Sequence, residues 1–426
     1  MLKKLQLLNV GPSPEMALEF GDRLNLITGD NGLGKSFLLD IAWWSLTRRW
    51  PSEINPQMNV GKKILPRATG DAAITFSFSA KKKQEHYTST FQRHEQSWTG
   101  RQGRPANPGL VLYAMTDGSF AVWDPARNYW KTKDNVDIQE RRPAYVFSPQ
   151  EVWQGLKAND GNILCNGIIA DLASWQKEKG EAISLFNKVL KALSPSEKET
   201  LEMGELIRIS LDDVRDMPTV RMPYGQDVPV IHASSGIRRI LALAYFLIWA
   251  WQEHQLAARL LDEKPTHQIV FLIDEIESHL HPSWQRSIVP AVLNVMKTLT
   301  EQPDVQLIAA THSPLVMASV EPVFKAEKDA WFDLDFVEGK VILSKRDFIR
   351  QGDVSNWLTS EAFDLNMARS LEAEKVLNQA ALALSSNTIT VTQAQKIDKK
   401  LRGVLSDTDP FWMRWRFVAE KKGWIS

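Results

Sequence analysis

The segment Gly29-Asp30-Asn31-Gly32-Leu33-Gly34-Lys35-Ser36 constrains this chain more than any other stretch of it. It fits G-x-x-x-x-G-K-[ST], and it lies between the apolar, strand-like LNLIT and the helix-forming FLLDIAWWSLTRRW, the context that pattern requires. Gly29, Gly32 and Gly34, with Asn31 between them, let backbone N–H groups wrap phosphate oxygens at a helix N-terminus. Lys35 supplies positive charge for the β and γ phosphates, and the Ser36 hydroxyl is a ligand for Mg²⁺. Strand, phosphate loop and helix in that order predict an α/β fold of the P-loop NTPase class with ATP and Mg²⁺ as cofactors.

Two further apolar runs, QIVFLI and VQLIAA, have the length and continuous hydrophobicity of strands covered on both faces, and a helical stretch from Trp284 to Leu299 separates them as in a βαβ unit. The first run delivers Asp274 and Glu275 to the carboxyl edge of a parallel sheet, where ligands sit. Asp274 is expected to orient the Mg²⁺ shell and Glu275 to polarise the attacking water as general base. The second run leads to Thr311, His312 and Ser313, so that His312 can reach a γ-phosphate or the water. A third element, His232-Ala233-Ser234-Ser235-Gly236, precedes a long apolar helix; its hydroxyls and free N–H groups make another anion site. Each has a plainer reading, as helix cap or packing residue, and it is their occurrence together that favours chemistry.

The remainder sets the organisation. From 51 to 145 short alternating pieces such as AITFSFS and FAVWD, broken by Gly, Pro, Asn and Lys clusters, predict an antiparallel β-rich subdomain. Residues 150–260 form a helical subdomain carrying the serine-glycine segment, with helices expected over Asp171 to Leu193 and Ser196 to Glu205. Residues 1–350 are thus one ATPase domain with both insertions, and 351–426 a helical C-terminal module. Acidic and basic residues balance at 51 each, so net charge does not mark a nucleic-acid binder. The longest apolar run, Ile240 to Trp251, has 12 residues, short of the roughly 20 that span a bilayer. With one cysteine, Cys165, and no leader-like start, a cytoplasmic protein without a membrane segment is expected.

Phosphate loop, loop glutamine, serine-glycine segment, acid pair and histidine in this order resemble the ATPase head of ABC-type proteins, and more narrowly the RecF-like and OLD-like ATPases. The resemblance runs from Leu2 to about Val320 and implies a parallel core sheet with an antiparallel β subdomain. It makes Ser234, Ser235 and Gly236 the signature, Asp274 and Glu275 the Walker B pair, and His312 the switch histidine. Gln150, in YVFSPQE, stands at the Q-loop, where it would touch both Mg²⁺ and the water. The signature departs from LSGGQ at Ser235 and Ile237, which argues against transporter-like partners. In such proteins the signature serine of one copy completes the ATP site of another, so a head-to-tail homodimer is implied.

No heptad arm or second acidic cluster marks a chromosome organiser or a nuclease. The segment from Gly352-Asp353-Val354 through Asn356-Trp357-Leu358-Thr359-Ser360 resembles that of AAA-type ATPases of two-component antiphage systems such as Septu, whose partner is a separate nuclease. The alternative is a RecF-like clamp that grips duplex DNA, for which Lys62, Lys63, Lys81, Lys82, Lys83, Arg101 and Arg104 would have to share a groove. His279 and His281 have no further ligand near them in sequence and are read as loop residues after the acid pair rather than a metal site.

Overall fold

Apolar strands that alternate nothing along their length must be covered on both faces, and in this chain they meet in one eight-stranded sheet. Its order is Lys340–Arg346, Ala330–Val337, Leu24–Gly29, Asp304–Ala310, Gln268–Ile273, Leu110–Ala114, Phe120–Trp123 and Tyr145–Phe147. The five strands from Ala330–Val337 to Leu110–Ala114 are parallel, and antiparallel strands flank them on both sides. This computed structural model describes residues 1–67, 69–80, 83–100, 107–129, 141–298, 304–386 and 388–424. They divide into two compact units, Met1–Val354 and Ser355–Ser426.

A second, five-stranded antiparallel sheet has the order Glu15–Glu19, Leu2–Leu8, Ala73–Ala80, Lys83–Gln92 and Ser97–Trp98. Here the strands do alternate: Ile74, Phe76 and Phe78 turn into the core, as a one-sided sheet requires. Helix Lys35–Thr47 lies between the two sheets. Trp43 packs on Tyr113 of the parallel sheet at 6.1 Å, and Trp44 packs on Phe76 and Trp98 of the antiparallel one at 6.2 and 6.1 Å. On the other face of the main sheet runs helix Ser235–Leu260, apolar all round from Ile240 to Trp251 and buried throughout that stretch. Its Phe246 meets Phe120 at 4.4 Å and Phe147 at 4.8 Å.

One polar side chain is stitched through this apolar interior. Gln306, fully buried in strand Asp304–Ala310, accepts from the Leu2 N–H at 2.8 Å and donates to the Leu2 and Gly21 carbonyls, both at 2.8 Å. All three of these bonds go to backbone groups, and the Gly21 carbonyl also accepts from the Asn25 amide at 3.0 Å.

The structure departs from the sequence expectations in three places. The β-rich stretch 51–145 does not form one subdomain: AITFSFS belongs to the antiparallel sheet, whereas FAVW is strand Phe120–Trp123 of the main sheet. Its hairpin partner Leu110–Ala114 is apolar at every position and pairs with Gln268–Ile273, so the hairpin follows it into the core. Ser196 to Glu205 is one turn of 3-10 helix, Glu197–Glu199, then a two-residue strand, because the segment offers no apolar stripe to bury. The stretch from Trp284 is split into helices Pro282–Gln285 and Ile288–Thr298.

The second unit packs helices Leu371–Ser385, Val391–Val404 and Phe411–Lys421 around Ala380, Leu401, Trp412 and Trp415. Its Trp415 indole donates to Asp398 at 2.9 Å, and Arg369 pairs with Asp409. Among the described residues no helix is long and apolar enough to cross a membrane.

Candidate functional site

Three neighbouring parallel strands end together. In register, Ala309 of the central one faces Leu26 on one side and Ile273 on the other. The phosphate loop, the acid pair and Thr311-His312 therefore emerge side by side at the carboxyl edge of the sheet.

Gly29 leaves its strand at φ 131°, and a Cβ there would come within 2.4 Å of the Leu334 carbonyl oxygen, so only glycine fits. Gly32 and the helix N-cap Gly34 continue the turn, with Asn31 exposed beside them. Lys35, itself buried, folds its ammonium back onto the loop and donates to the Gly29 and Asp30 carbonyls at 2.7 and 2.8 Å. Burial lowers its pKa, against the opposing pull of Asp274, Glu275, Glu277 and Asp30.

The Ser36 hydroxyl lies beside the Asp274 carboxylate and favours its charged form. Asp274 is buried, and its Oδ1 has no hydrogen-bond partner. Burial raises its pKa, the Ser36 hydroxyl opposes this, and the Glu275 charge adds to it. An orphaned buried carboxylate oxygen beside a hydroxyl is a pair of hard oxygen donors, and that suits a cation such as Mg²⁺, which takes one carboxylate and fills its other positions from phosphate and water. Glu275 holds a left-handed backbone at φ 45°, unusual for a residue with a side chain and a form of strain that collects at functional sites.

Sequence reading passed over two acids that the structure places here. Glu277 accepts from the Thr311 hydroxyl at 2.6 Å and from the His312 backbone N–H, and so fixes the turn that carries the His312 ring. Burial raises the Glu277 pKa, and lowers that of half-buried His312, with Lys35 pushing His312 the same way. A neutral imidazole at pH 7 follows. Asp40, one helical turn after Ser36, accepts from the Tyr113 hydroxyl at 3.0 Å; burial pushes its pKa up to about 7. Glu277 left a signal in the spacing Asp274, Glu275, Glu277; Asp40 left none beyond being an acid in a buried helix.

Ser234 caps helix Ser235–Leu260 by accepting from the Ile237 N–H at 3.4 Å, and both Ser234 and Ser235 are exposed. Gly236 lies against the loop after the acid pair, where a Cβ would meet the His279 carbonyl oxygen at 2.5 Å. Deeper in the same helix Arg239 is buried and donates to the Met115 carbonyl at 2.7 Å and the Asp274 carbonyl at 3.1 Å. Gln150 is exposed on helix Pro149–Gln154, where its amide donates to Gln154 at 3.0 Å. His281 caps helix Pro282–Gln285, and among the described residues no group of three or more His, Cys, Asp or Glu could hold a metal. Lys81, Lys82, Arg101 and Arg104 lie outside the described residues, as does the Lys83 side chain. Lys62 donates to Met58 at 2.6 Å and Lys63 pairs with Glu53 at 3.7 Å.

The profile of a family described as "AAA domain, putative AbiEii toxin, Type IV TA system" matches residues 24–318, which takes in the phosphate loop, signature, acid pair and histidine. The chain is 21% identical over 322 residues to the Septu protein PtuA of Bacillus thuringiensis, spanning 74% of this chain and 72% of that one. It is 29% identical over 201 residues to "Retron Vc95 probable ATPase" of Vibrio cholerae serotype O1 biovar El Tor, spanning 45% of this chain and 36% of the relative. It is 25% identical over 156 residues to "Retron Ec83 probable ATPase" of Escherichia coli, and there spans 26% of the relative's length. Among solved structures the SMC head domain from Thermotoga maritima aligns over 81% of this chain and 99% of its own, at 16% identity and a TM-score of 0.39. That likeness is too loose to add to what the strand order shows.

Proposed function

We propose a function from one premise: the chain belongs to the AAA-domain family matched at residues 24–318 and is an ATPase. In this reading it is a Mg²⁺-dependent molecular switch that closes as a head-to-tail dimer around ATP. The observation that carries it is the meeting of Lys35, Ser36, Asp274, Glu275 and His312 at one sheet edge, with a buried Asp274 oxygen left without a partner.

Each residue then has a task. Lys35 exchanges the Gly29 and Asp30 carbonyls for phosphate oxygens, which desolvates the ammonium no further and gives it a full counter-charge. Ser36 and Asp274 would hold Mg²⁺, which when bound would supply positive charge to the phosphoryl oxygens. Glu275 takes the proton of the attacking water. His312, neutral and fixed through Glu277, donates a ring N–H towards the γ-phosphate or the water. Ser234 and Ser235 are exposed at the start of their helix, ready for the nucleotide of a second copy. Gln150, tied to Gln154, is given no task.

The kinship with a Septu protein and two retron ATPases supports a place in a cytoplasmic antiphage defence complex, in which this chain gates a separate nuclease or effector. The test is affinity purification of the Glu275→Gln protein from its native host with ATP present, read by mass spectrometry and a nucleic-acid stain. A nuclease in stoichiometric amount supports the defence reading. DNA with no protein partner refutes it in favour of a clamp.

A further inference from the structure

Arg239 is a buried guanidinium with the Phe120 ring 5.9 Å away and no carboxylate paired to it among the described ion pairs. It sits one turn inside the helix that begins at Ser235, 6% exposed, and the acids around it lie at a distance rather than in contact. Its two described hydrogen bonds go to backbone carbonyls, that of Met115 just beyond strand Leu110–Ala114 and that of Asp274 just beyond strand Gln268–Ile273. Those strands are paired neighbours, with Ile273 facing Ala114. Its Nε has no partner at all. Burying an arginine without a contacting carboxylate is costly, and helix–sheet glue is more cheaply made from apolar side chains. Burial brings its pKa down to about 10, so it keeps its charge at neutral pH.

The same end of the helix touches the same loop a second time, where Gly236 rests on the His279 carbonyl. Between these contacts lies a cavity of about 190 Å³ whose lining includes Ser235, Arg238, Arg239, Asp117 and His279. The signature end thus meets the end of the acid-pair strand and the loop after it at two points, one charged and one steric, and Arg239 grips the peptide of the very residue that would hold the metal.

We propose that Arg239 is a positioning residue that ties the signature to the acid pair of its own chain, so that a second copy's nucleotide engaged at Ser235 is felt at Asp274 and Glu275. This rests on the dimer reading above. A displacement of the helix start moves the Asp274 carbonyl, and with it the carboxylate and the Glu275 that follows. Conversely, a relaxed acid pair leaves the signature misplaced for its partner.

The experiment is a double-mutant cycle on the full-length protein with Ser235→Ala and Arg239→Met, reading kcat for ATP hydrolysis beside ATP affinity by equilibrium titration. Arg239→Met is expected to lower kcat about 10- to 100-fold, as small misplacements of catalytic groups do, with affinity close to the wild type because the phosphate loop is untouched. Ser235→Ala added to it should then cost little more. Arg239→Lys, which can reach one carbonyl only, should fall between, and it serves for the cycle if the methionine variant does not fold. Strictly additive losses, or equal losses of affinity and kcat, overturn the proposal. Light scattering of Glu275→Gln with and without ATP separates the two readings: a protein that stays monomeric overturns both, whereas an ATP-driven dimer with additive effects overturns this one alone.

Discussion

Replacing Asp40 by asparagine removes a titration without removing a shape. The carboxyl ionises near 3.8 in an unfolded chain and at about 7 in the fold, where burial outweighs the Tyr113 hydrogen bond that favours the anion and the Asp274 charge adds to burial. At about 1.36 kcal/mol for each pK unit, that gap is worth about 4 kcal/mol. The folded protein binds the extra proton between the two pKa values, so its stability falls as pH rises from about 4 to about 7 and loses nothing more from this group above that. Between pH 5 and pH 8 linkage assigns roughly 2 to 3 kcal/mol of the loss to Asp40. The amide mimics the protonated acid, can still accept from Tyr113, and does not titrate. Urea unfolding of both proteins at pH 5 and pH 8, without nucleotide or Mg²⁺, should therefore show Asp40→Asn gaining roughly 2 to 3 kcal/mol on the wild type as pH rises. No gain, or a loss, would mean that the fold keeps the anion and that the Tyr113 bond, not burial, dominates.

Other expectations follow from the same edge of the sheet. Lys35→Ala should abolish nucleotide binding, whereas Glu275→Gln should retain ATP and accumulate the closed dimer; equal loss of binding in both, measured by calorimetry, would contradict the roles given to them. Glu277→Gln should cut kcat by about 10-fold, for a loss of about 1.5 kcal/mol in charge-assisted bonds to Thr311 and His312, with ATP affinity nearly unchanged in an equilibrium titration. Cys165, its thiol pushed up to about 12 by burial and hydrogen-bonded to Tyr245 at 3.1 Å, should react with iodoacetamide at pH 8 far more slowly in native protein than in urea. Equal rates in the two would show that the thiol is accessible in the fold.

The nucleotide-facing elements were legible because their chemistry is local. Glycines at 29, 32 and 34 and a lysine at 35 declare a loop whatever lies around it, and continuous apolar runs declare strands buried on both faces. What the sequence hid is pairing at a distance. Phe120–Trp123 and Ala73–Ala80 look alike as short apolar pieces, yet one joins the parallel sheet and the other the antiparallel one, since the choice is made by Leu110–Ala114 finding Gln268–Ile273. Glu277 reads as one more acid in DEIES until its carboxylate is seen between Thr311 and His312. Arg239 reads as helix filler until its helix is laid across two strand ends. Gln150 was singled out by its position in the order of motifs, and the bond the fold gives it is to Gln154 on its own helix.

Gln306 gives the molecule a datum. A strand in a sheet can slip by a residue, and each slip turns every side chain to the opposite face. Strand Asp304–Ala310 cannot slip cheaply, because a single step would take the Gln306 amide away from both groups of the Leu2 peptide and from the Gly21 carbonyl, leaving the buried amide and the Leu2 peptide without those bonds. Six residues further along, about 20 Å at the rise of a strand, stands His312. The height at which that imidazole surfaces is therefore gauged from the far end of the sheet, by a side chain that takes no part in any reaction there.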